Sequence, residues 1–269
     1  NKSWVTSQYD QMVMCDTIQK SGSDAAIIRI HNKDKAIAVS VDSSANYCKS
    51  YPLTGGKQIV CENWRNLISV GAKPLAVTNC LNFGNPENQE IMGEFAECLE
   101  GLKEACNFLN YPVVSGNVSF YNGTNKKNIY PTPVIGGVGL IKRLSKPLSH
   151  NFKKSNSAII LIGKTFGHIE QSCFLKENYS IIEGMPPEIN LLNEKNNGES
   201  LLKLIDKNLI LSAHDISNGG LITALSEMTL TSNFGAKIHK PKKLTNLFRY
   251  FFGEDQARYI IEIQAQKLS

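Results

Sequence analysis

The sequence predicts an α/β (α+β) protein of two tandem domains, and three observations carry that expectation. The chain has 269 residues, 42% hydrophobic and 20% charged, enough for two cores of ordinary size. Strand-like alternation and helix-like spacing interleave along the chain twice over. Between the two runs lies a polar, basic stretch, LSKPLSHNFKKSNS, at residues 144–157. The expected organisation is a leading linker over 1–21, a first domain over 22–143, a linker over 144–157 and a second domain over 158–269.

Residues 25–30 (AAIIRI) and 35–41 (KAIAVSV) read as two strands joined by the polar turn HNKD, a hairpin. Residues 57–70 place Ile59, Val60, Trp64, Leu67 and Ile68 on one helical face, and Gly71 followed by Pro74 supplies a stop. LAVT (75–78) reads as a buried strand, and NCLNFGNPEN after it as a loop in which Asn85 and Pro86 suit the N-cap and first helical position. Ile91, Phe95, Cys98, Leu102, Ala105 and Leu109 then form one helical stripe. YPVVSGNVSFY (111–121) reads as a short strand, a turn at Ser-Gly-Asn and more extended chain, and VIGGVGLI (134–141) as a further strand. The second domain offers strands at 158–163, 209–213 and 258–263, with helices at 199–205 and about 219–228. Residues 164–198 carry no assignable pattern.

Several function classes are excluded or disfavoured. The formal charge of +5 is mild, and the lysines, such as Lys126, Lys127, Lys153, Lys154, Lys242 and Lys243, scatter through the sequence, so no nucleic-acid stripe is expected. Seven cysteines without a Cys-x-x-Cys pair suggest neither a disulfide framework nor a zinc site, and fit a reducing cytoplasm. No run reaches the length of a membrane span, and NKSWVTSQYD has no signal-peptide pattern. The amino end lacks Met and the carboxyl end stops just after a strand, so the chain reads as a piece of a longer one.

Three stretches are candidates for chemistry. AIILIGKT (158–165) is similar to the end of a phosphate loop, yet Ala158 stands where a glycine is required and apolar residues fill the flexible part, so it reads as a strand. SAHDISNGG (212–220) follows a strand and opens a helix, whose free N–H groups could face an anion or a metal-bound phosphate; equally, Asp215, Ser217 or Asn218 could merely cap that helix. TNCLNFGN (78–85) and SGNVS (115–119) each follow a short strand and present amides or hydroxyls beside a glycine, the usual make-up of a site at the carboxyl ends of strands. Asn117 offers a neutral oxygen that suits Mg²⁺ where phosphates bring the charge. Turn chemistry alone could also explain either loop.

The order of unusual words points further. WVTSQYD (4–10), GSDAAIIRI (22–30), GGKQ (55–58), CLNFGNPE (80–87), VVSGNVSFYN (113–122), YPTPVIGGVGL (130–140), AHDISNGGL (213–221) and FGEDQARYIIEI (252–263) together resemble the second half of the phosphoribosylformylglycinamidine synthase family, within the aminoimidazole ribonucleotide synthetase superfamily. The resemblance implies an α/β domain contributing to a central β-barrel and a second α+β domain. It implies an ATP- and Mg²⁺-dependent ligase that amidates formylglycinamide ribonucleotide with glutamine-derived ammonia, alongside a glutaminase subunit and a small bridging subunit, with no nucleic acid and no membrane.

By position, the resemblance implies that Asn79 and Gly116 contact ATP, Asn117 binds Mg²⁺ and Ser119 touches the ribonucleotide. Two departures stand out: Asn79 where relatives usually carry aspartate, and Ser44 and Asn46 where they usually carry Asn and Arg. The family's active-site histidines and most of its magnesium carboxylates belong to the first half, so the resemblance implies no general acid or base in this chain. The alternative it leaves is a scaffold half with a vestigial or auxiliary nucleotide site.

Overall fold

A computed structural model of the chain describes residues 3–125, 127–144, 147–239, 241 and 246–267. Lys126, Lys242 and Lys243 lie outside these. A short helix α1 (Ser3–Ser7) leads to strand β1 (Thr17–Gln19), which pairs with β2 (Ala26–Arg29), so the expected leading linker already contributes an edge strand. β2 and β3 (Ala36–Asp42) form the expected hairpin, closed where the Ile30 N–H donates to the Lys35 carbonyl at 2.8 Å. Helices α2 (Ala45–Ser50) and α3 (Pro52–Ser69) follow. α3 begins earlier than the apolar spacing indicates, because Pro52 supplies the pre-set φ of a first helical residue.

Strand β4 (Lys73–Asn82), helix α4 (Gln89–Leu109), strand β5 (Val113–Ser119), the small ladder β6 (Gly123–Thr124) with β7 (Lys127–Asn128), and strand β8 (Thr132–Ile141) complete the first domain. Its sheet runs β1-β2-β3-β8-β4-β5, antiparallel except for the parallel β4–β5 pair at one edge. The expected stripe on α4 is buried as read, apart from a half-buried Phe95. α3 and α4 cover one face of the sheet at unusually close range. A Cβ on Gly101 would lie 2.1 Å from the Leu53 carbonyl oxygen and one on Gly56 would lie 2.4 Å from that of Cys98. Gly101→Val should therefore cost about 3 kcal/mol, read as a lowered urea midpoint, since neither backbone can retreat without opening the core.

Two expectations need correction here. Asn85 is not the N-cap of α4: its Oδ1 accepts from the Glu87 N–H, while Asn88 caps the helix by accepting from Glu90, so Pro86 sits in the turn before it. Ser115-Gly116-Asn117 is not a turn either. Parallel pairing to β4 satisfies the backbone and keeps β5 continuous through all three residues.

The second domain holds strand β9 (Ser157–Ile162), helices α5 (Cys173–Tyr179) and α6 (Leu191–Asp206), strand β10 (Ile210–Asp215), helices α7 (Gly220–Leu230) and α8 (Leu247–Phe252), and strand β11 (Tyr259–Gln264). Its antiparallel sheet has the order β10-β11-β9. AIILIG is thus a strand, as read. The unassigned stretch contains α5 and the start of α6, capped by Ser172 and Asn190. The linker is not loose along its described part, because Leu148, His150 and Phe152 are buried. One apolar cluster joins the domains, with Trp64, Leu67 and Ile68 of α3 beside Leu201 and Ile205 of α6. Among the described residues no helix is long and apolar enough to cross a membrane.

Candidate functional site

Strand pairing brings the four candidate residues onto two neighbouring strands. Asn79 of β4 lies opposite Gly116 of β5, Cys80 opposite Asn117, and Asn82 opposite Ser119. Alternation along the strands then divides them. Asn79 and Gly116 share the face of Val77 and Leu81, which are buried beneath the helices; Asn117 and Ser119 share the open face with Cys80. A Cβ on Gly116 would stand 2.0 Å from Asn79 Oδ1, so any larger residue there would displace that amide. Gly116 and Asn117 are exposed and Asn79 half-buried.

The end of β5 is fixed from behind. Asn122 Nδ2 donates to the Ser119 carbonyl at 2.9 Å, to Ser119 Oγ at 3.1 Å and to the Phe83 carbonyl at 3.0 Å. Phe83, Phe95 and Phe120 pack edge to face, with centroids 5.0 and 5.1 Å apart. The Asn85 N–H donates to Asn128 Oδ1, tying the loop after β4 to the small ladder. The site is thus a hydrogen-bonded strand end that carries the exposed amide of Asn117 and the half-buried one of Asn79. Of the donors a hard cation takes, this strand end offers the neutral amide oxygen of Asn117 and no carboxylate of its own.

The open face that carries Asn117 is apolar along much of its width. Ile28, Ile37 and Val138 are exposed on it, and Val41 is 67% exposed. Such a contiguous apolar sheet face normally lies against another surface.

Sequence reasoning missed a second constellation, buried where the domains meet. Arg65 of α3 is fully buried and donates from Nη1 to Glu194 Oε1 at 2.7 Å and from Nη2 to Gln256 Oε1 at 2.9 Å, with its Nε 3.6 Å from Asp215 Oδ2. Asp42 accepts from Ser40, Asn63 and Asn66. Burial, then neighbouring Glu62, pushes the Asp42 carboxyl up to about 7 despite these donors. Burial followed by Asp215 raises Glu62 to about 7, and burial followed by Asp24 raises Asp215 to about 7. The guanidinium of Arg65 is pulled down by burial, but Glu194, Asp215 and Glu62 more than offset this and hold it above its usual value.

His214 sits beside this group. Its Nδ1 is 2.6 Å from Asp24 Oδ1 and its Nε2 3.0 Å from Glu227 Oε2, and these carboxylates overcome burial to hold the imidazolium well above the usual histidine range. Asp24, His214 and Asp215 bring donor atoms within 4.8 Å of one another, but both His214 nitrogens already face carboxylates. Asp24 Oδ2 and Asp215 Oδ2 have no hydrogen-bond partner among the described residues, so the oxygens, more than the ring, fit a hard cation. A hollow of about 780 Å³ opens over Asp24, Asp42, Asn66, His150, His214 and Glu227.

The helix after SAHDISNGG is capped by none of the residues that seemed suited to it. Gly219 is the N-cap of α7, makes no side-chain cap, and donates its N–H to Glu254 Oε1 at 2.7 Å. Two sequence signals bear on the buried constellation: the polar run Glu62, Asn63, Arg65 and Asn66 within α3, and the pair His214-Asp215 in the word SAHDISNGG.

Comparison with known proteins gives this architecture a family. The description AIR synthase related protein, N-terminal domain, matches residues 22–141, and its C-terminal counterpart matches residues 154–268. The chain belongs to the AIR synthase related family. Within that family it is 59% identical over 268 residues to phosphoribosylformylglycinamidine synthase subunit PurL of Pelagibacter ubique, covering 100% of this chain and 37% of that protein. It is 48% identical to the PurL of Bradyrhizobium diazoefficiens, covering 98% and 36%. The chain thus spans little more than a third of these relatives. Among solved structures, T. maritima PurL complexed with AMPPCP superposes with a TM-score of 0.67 at 25% identity, covering 98% of this chain and 39% of that one. T. maritima PurL complexed with FGAR gives 0.68 at 26%, covering 98% and 37%. The HypE–HypF complex gives 0.73 at 15%, covering 98% and 84%, which speaks to the fold alone.

Proposed function

We propose that this chain is the second half of a phosphoribosylformylglycinamidine synthase subunit and supplies one wall of a composite site. There ATP would phosphorylate the amide oxygen of formylglycinamide ribonucleotide and ammonia derived from glutamine would displace the phosphate, in cytoplasmic purine biosynthesis. The observation that carries the reading is the pairing of Asn79 with Gly116 at the edge of a sheet whose other face, bearing Asn117 and Ser119, is apolar and open to a covering surface. In this reading Gly116 lets the nucleotide approach the backbone beside Asn79, Asn117 gives one oxygen to Mg²⁺, and Ser119 points its hydroxyl at the ribonucleotide. Phosphoryl transfer depends on charge neutralisation and in-line placement, so positioning residues and the ion would carry most of that step. Partners would be a glutaminase subunit and a small bridging subunit; T. maritima PurL is known in a structure named PurLQS, with a TM-score of 0.68 to this chain.

Calorimetric titration of the intact two-half protein with Mg-ATP tests the assignment. Asn117→Ala should weaken binding by about tenfold or more, the worth of one charge-assisted ligand contact, and leave thermal stability unchanged because the side chain is exposed. Equal affinity in the two proteins would remove Asn117 from the metal's shell. The isolated chain should show little or no turnover with free ammonia.

A second reading, a scaffold half with an auxiliary or vestigial nucleotide site, is favoured by the junction cluster. Among the described residues Asp24 Oδ2 and Asp215 Oδ2 accept no hydrogen bond there, and Mg²⁺ bound with a nucleotide would satisfy them.

A further inference from the structure

Ser119 ends β5 half-buried, and one amide decides what its hydroxyl can do. Asn122 Nδ2 lies 2.9 Å from the Ser119 carbonyl oxygen and 3.0 Å from that of Phe83. Carbonyl oxygens only accept, so the nitrogen of that amide, and not its oxygen, must face them. Both amide protons are thereby engaged. Ser119 Oγ, 3.1 Å from the same nitrogen, shares one of them as a further acceptor. For the hydroxyl's own proton the acceptor among the described residues is Asn122 Oδ1 at 3.3 Å, well beyond the roughly 2.8 Å of a good O–H···O bond. That proton is held loosely, and a ligand oxygen in front of the strand end can compete for it.

The turn that brings Asn122 back onto Ser119 is held against its own preference. Tyr121 has a φ of 60°, in the left-handed region that an aromatic residue seldom adopts. Three backbone bonds keep it there: the Tyr121 N–H donates to the Gly84 carbonyl at 2.9 Å, the Asn122 N–H to that of Phe83 at 3.2 Å, and the Ile129 N–H to that of Asn122 at 3.1 Å. Strain maintained by its surroundings at the rim of a site is a mark of pre-organisation. The geometry points to Asn122 as a positioning residue that makes Ser119 Oγ an acceptor toward the protein and therefore a donor toward an oxygen of the bound ribonucleotide. The inference rests on the reading of Ser119 as a substrate contact, and it narrows what that contact meets to an acceptor oxygen. A negatively charged oxygen would gain the most from it.

The test is calorimetric titration of the intact two-half protein with formylglycinamide ribonucleotide, with steady-state KM and kcat alongside. Asn122→Asp keeps the volume but puts a carboxylate oxygen where the Nδ2 donor stood, so the Ser119 hydroxyl turns inward to donate to it. Ser119→Ala should weaken substrate binding by about tenfold, and Asn122→Asp by about the same factor, the worth of one hydrogen bond. Each should raise KM more than it lowers kcat. Combining the two should cost no more than the larger single loss, because both act through one hydroxyl. Asn122→Ala should show a smaller loss, again absent in the Ser119→Ala background, and it stands in if the carboxylate prevents folding. Losses that multiply in the double variant, or a lowered thermal midpoint with substrate affinity unchanged, would make Asn122 a structural brace and overturn the proposal. So would a matching loss of Mg-ATP affinity, which would mean that the whole strand end had moved. If Ser119→Ala alone leaves substrate affinity intact, the functional reading of that residue fails first and the proposal falls with it.

Discussion

Replacing Arg65 by alanine is expected to destabilise the chain by about 3–5 kcal/mol, the usual cost of removing one partner from a buried ion pair. Both Arg65 and Glu194 are fully shielded from water, at 0% side-chain exposure. Without the guanidinium, Glu194 would keep only the Ala257 N–H as a donor among the described residues, and Asp215 would lose its nearest cation. The penalty therefore arises from stranded charge more than from lost packing. Urea unfolding followed by the fluorescence of Trp64, which is buried one residue away, measures it. Arg65→Met combined with Glu194→Gln should recover part of the loss, because the double change removes both charges and keeps volume. Equal losses in the single and double variants would show that the pair's electrostatics is not what holds the junction. Because Arg65 binds Glu194 and Gln256 of the second domain from a helix of the first, its loss should also loosen the two domains from one another.

Much of the fold was legible because its signals are local. The hairpin over β2 and β3 follows from alternation around a polar turn, and the α4 stripe from spacings that put one face inward. β5 was not legible as a continuous strand. Gly116 and Asn117 look like turn residues until β4 is laid beside them, and that partner lies more than thirty residues away in sequence. The N-cap of α4 was misplaced by three residues because Asn85 and Asn88 carry the same side chain, and only the chain path decides which amide turns back onto the helix. Within the candidate site, the residue types were readable from the words SGNVS and TNCLNFGN. Their division between two faces was not, since it needs the register. The junction cluster was the least readable part. His214 and Asp215 stand together in sequence, yet Asp24, Asp42 and Arg65 reach them from other elements, and the order of the chain says nothing about that meeting.

Stability should fall as pH rises from about 5 to 8 in metal-free buffer, the reverse of what paired surface carboxylates produce. Asp42, Glu62 and Asp215 are each raised to about 7, with burial the first cause. In the unfolded chain they would titrate near 4. Between those values the folded state binds protons that the unfolded state has released, so the slope of unfolding free energy against pH is negative. Each net proton held in excess gives about 1.4 kcal/mol per pH unit. The three acids share one guanidinium and titrate together, so the macroscopic count belongs to the set. His214 acts in the same sense. Its folded value is raised, so the stability its imidazolium gains from Asp24 and Glu227 is full below about 6.5 and is lost as pH climbs through the folded value. Glu62→Gln separates the acids from the histidine. Glutamine mimics the protonated carboxyl and keeps an oxygen for the Gln58 amide, so the variant should match the parent near pH 5 and exceed it in stability near pH 8. A parent whose urea midpoint is flat or rises across this range, or a variant that is weaker at pH 8, would mean that the carboxyls at the junction are ionised throughout and that Arg65 alone neutralises them.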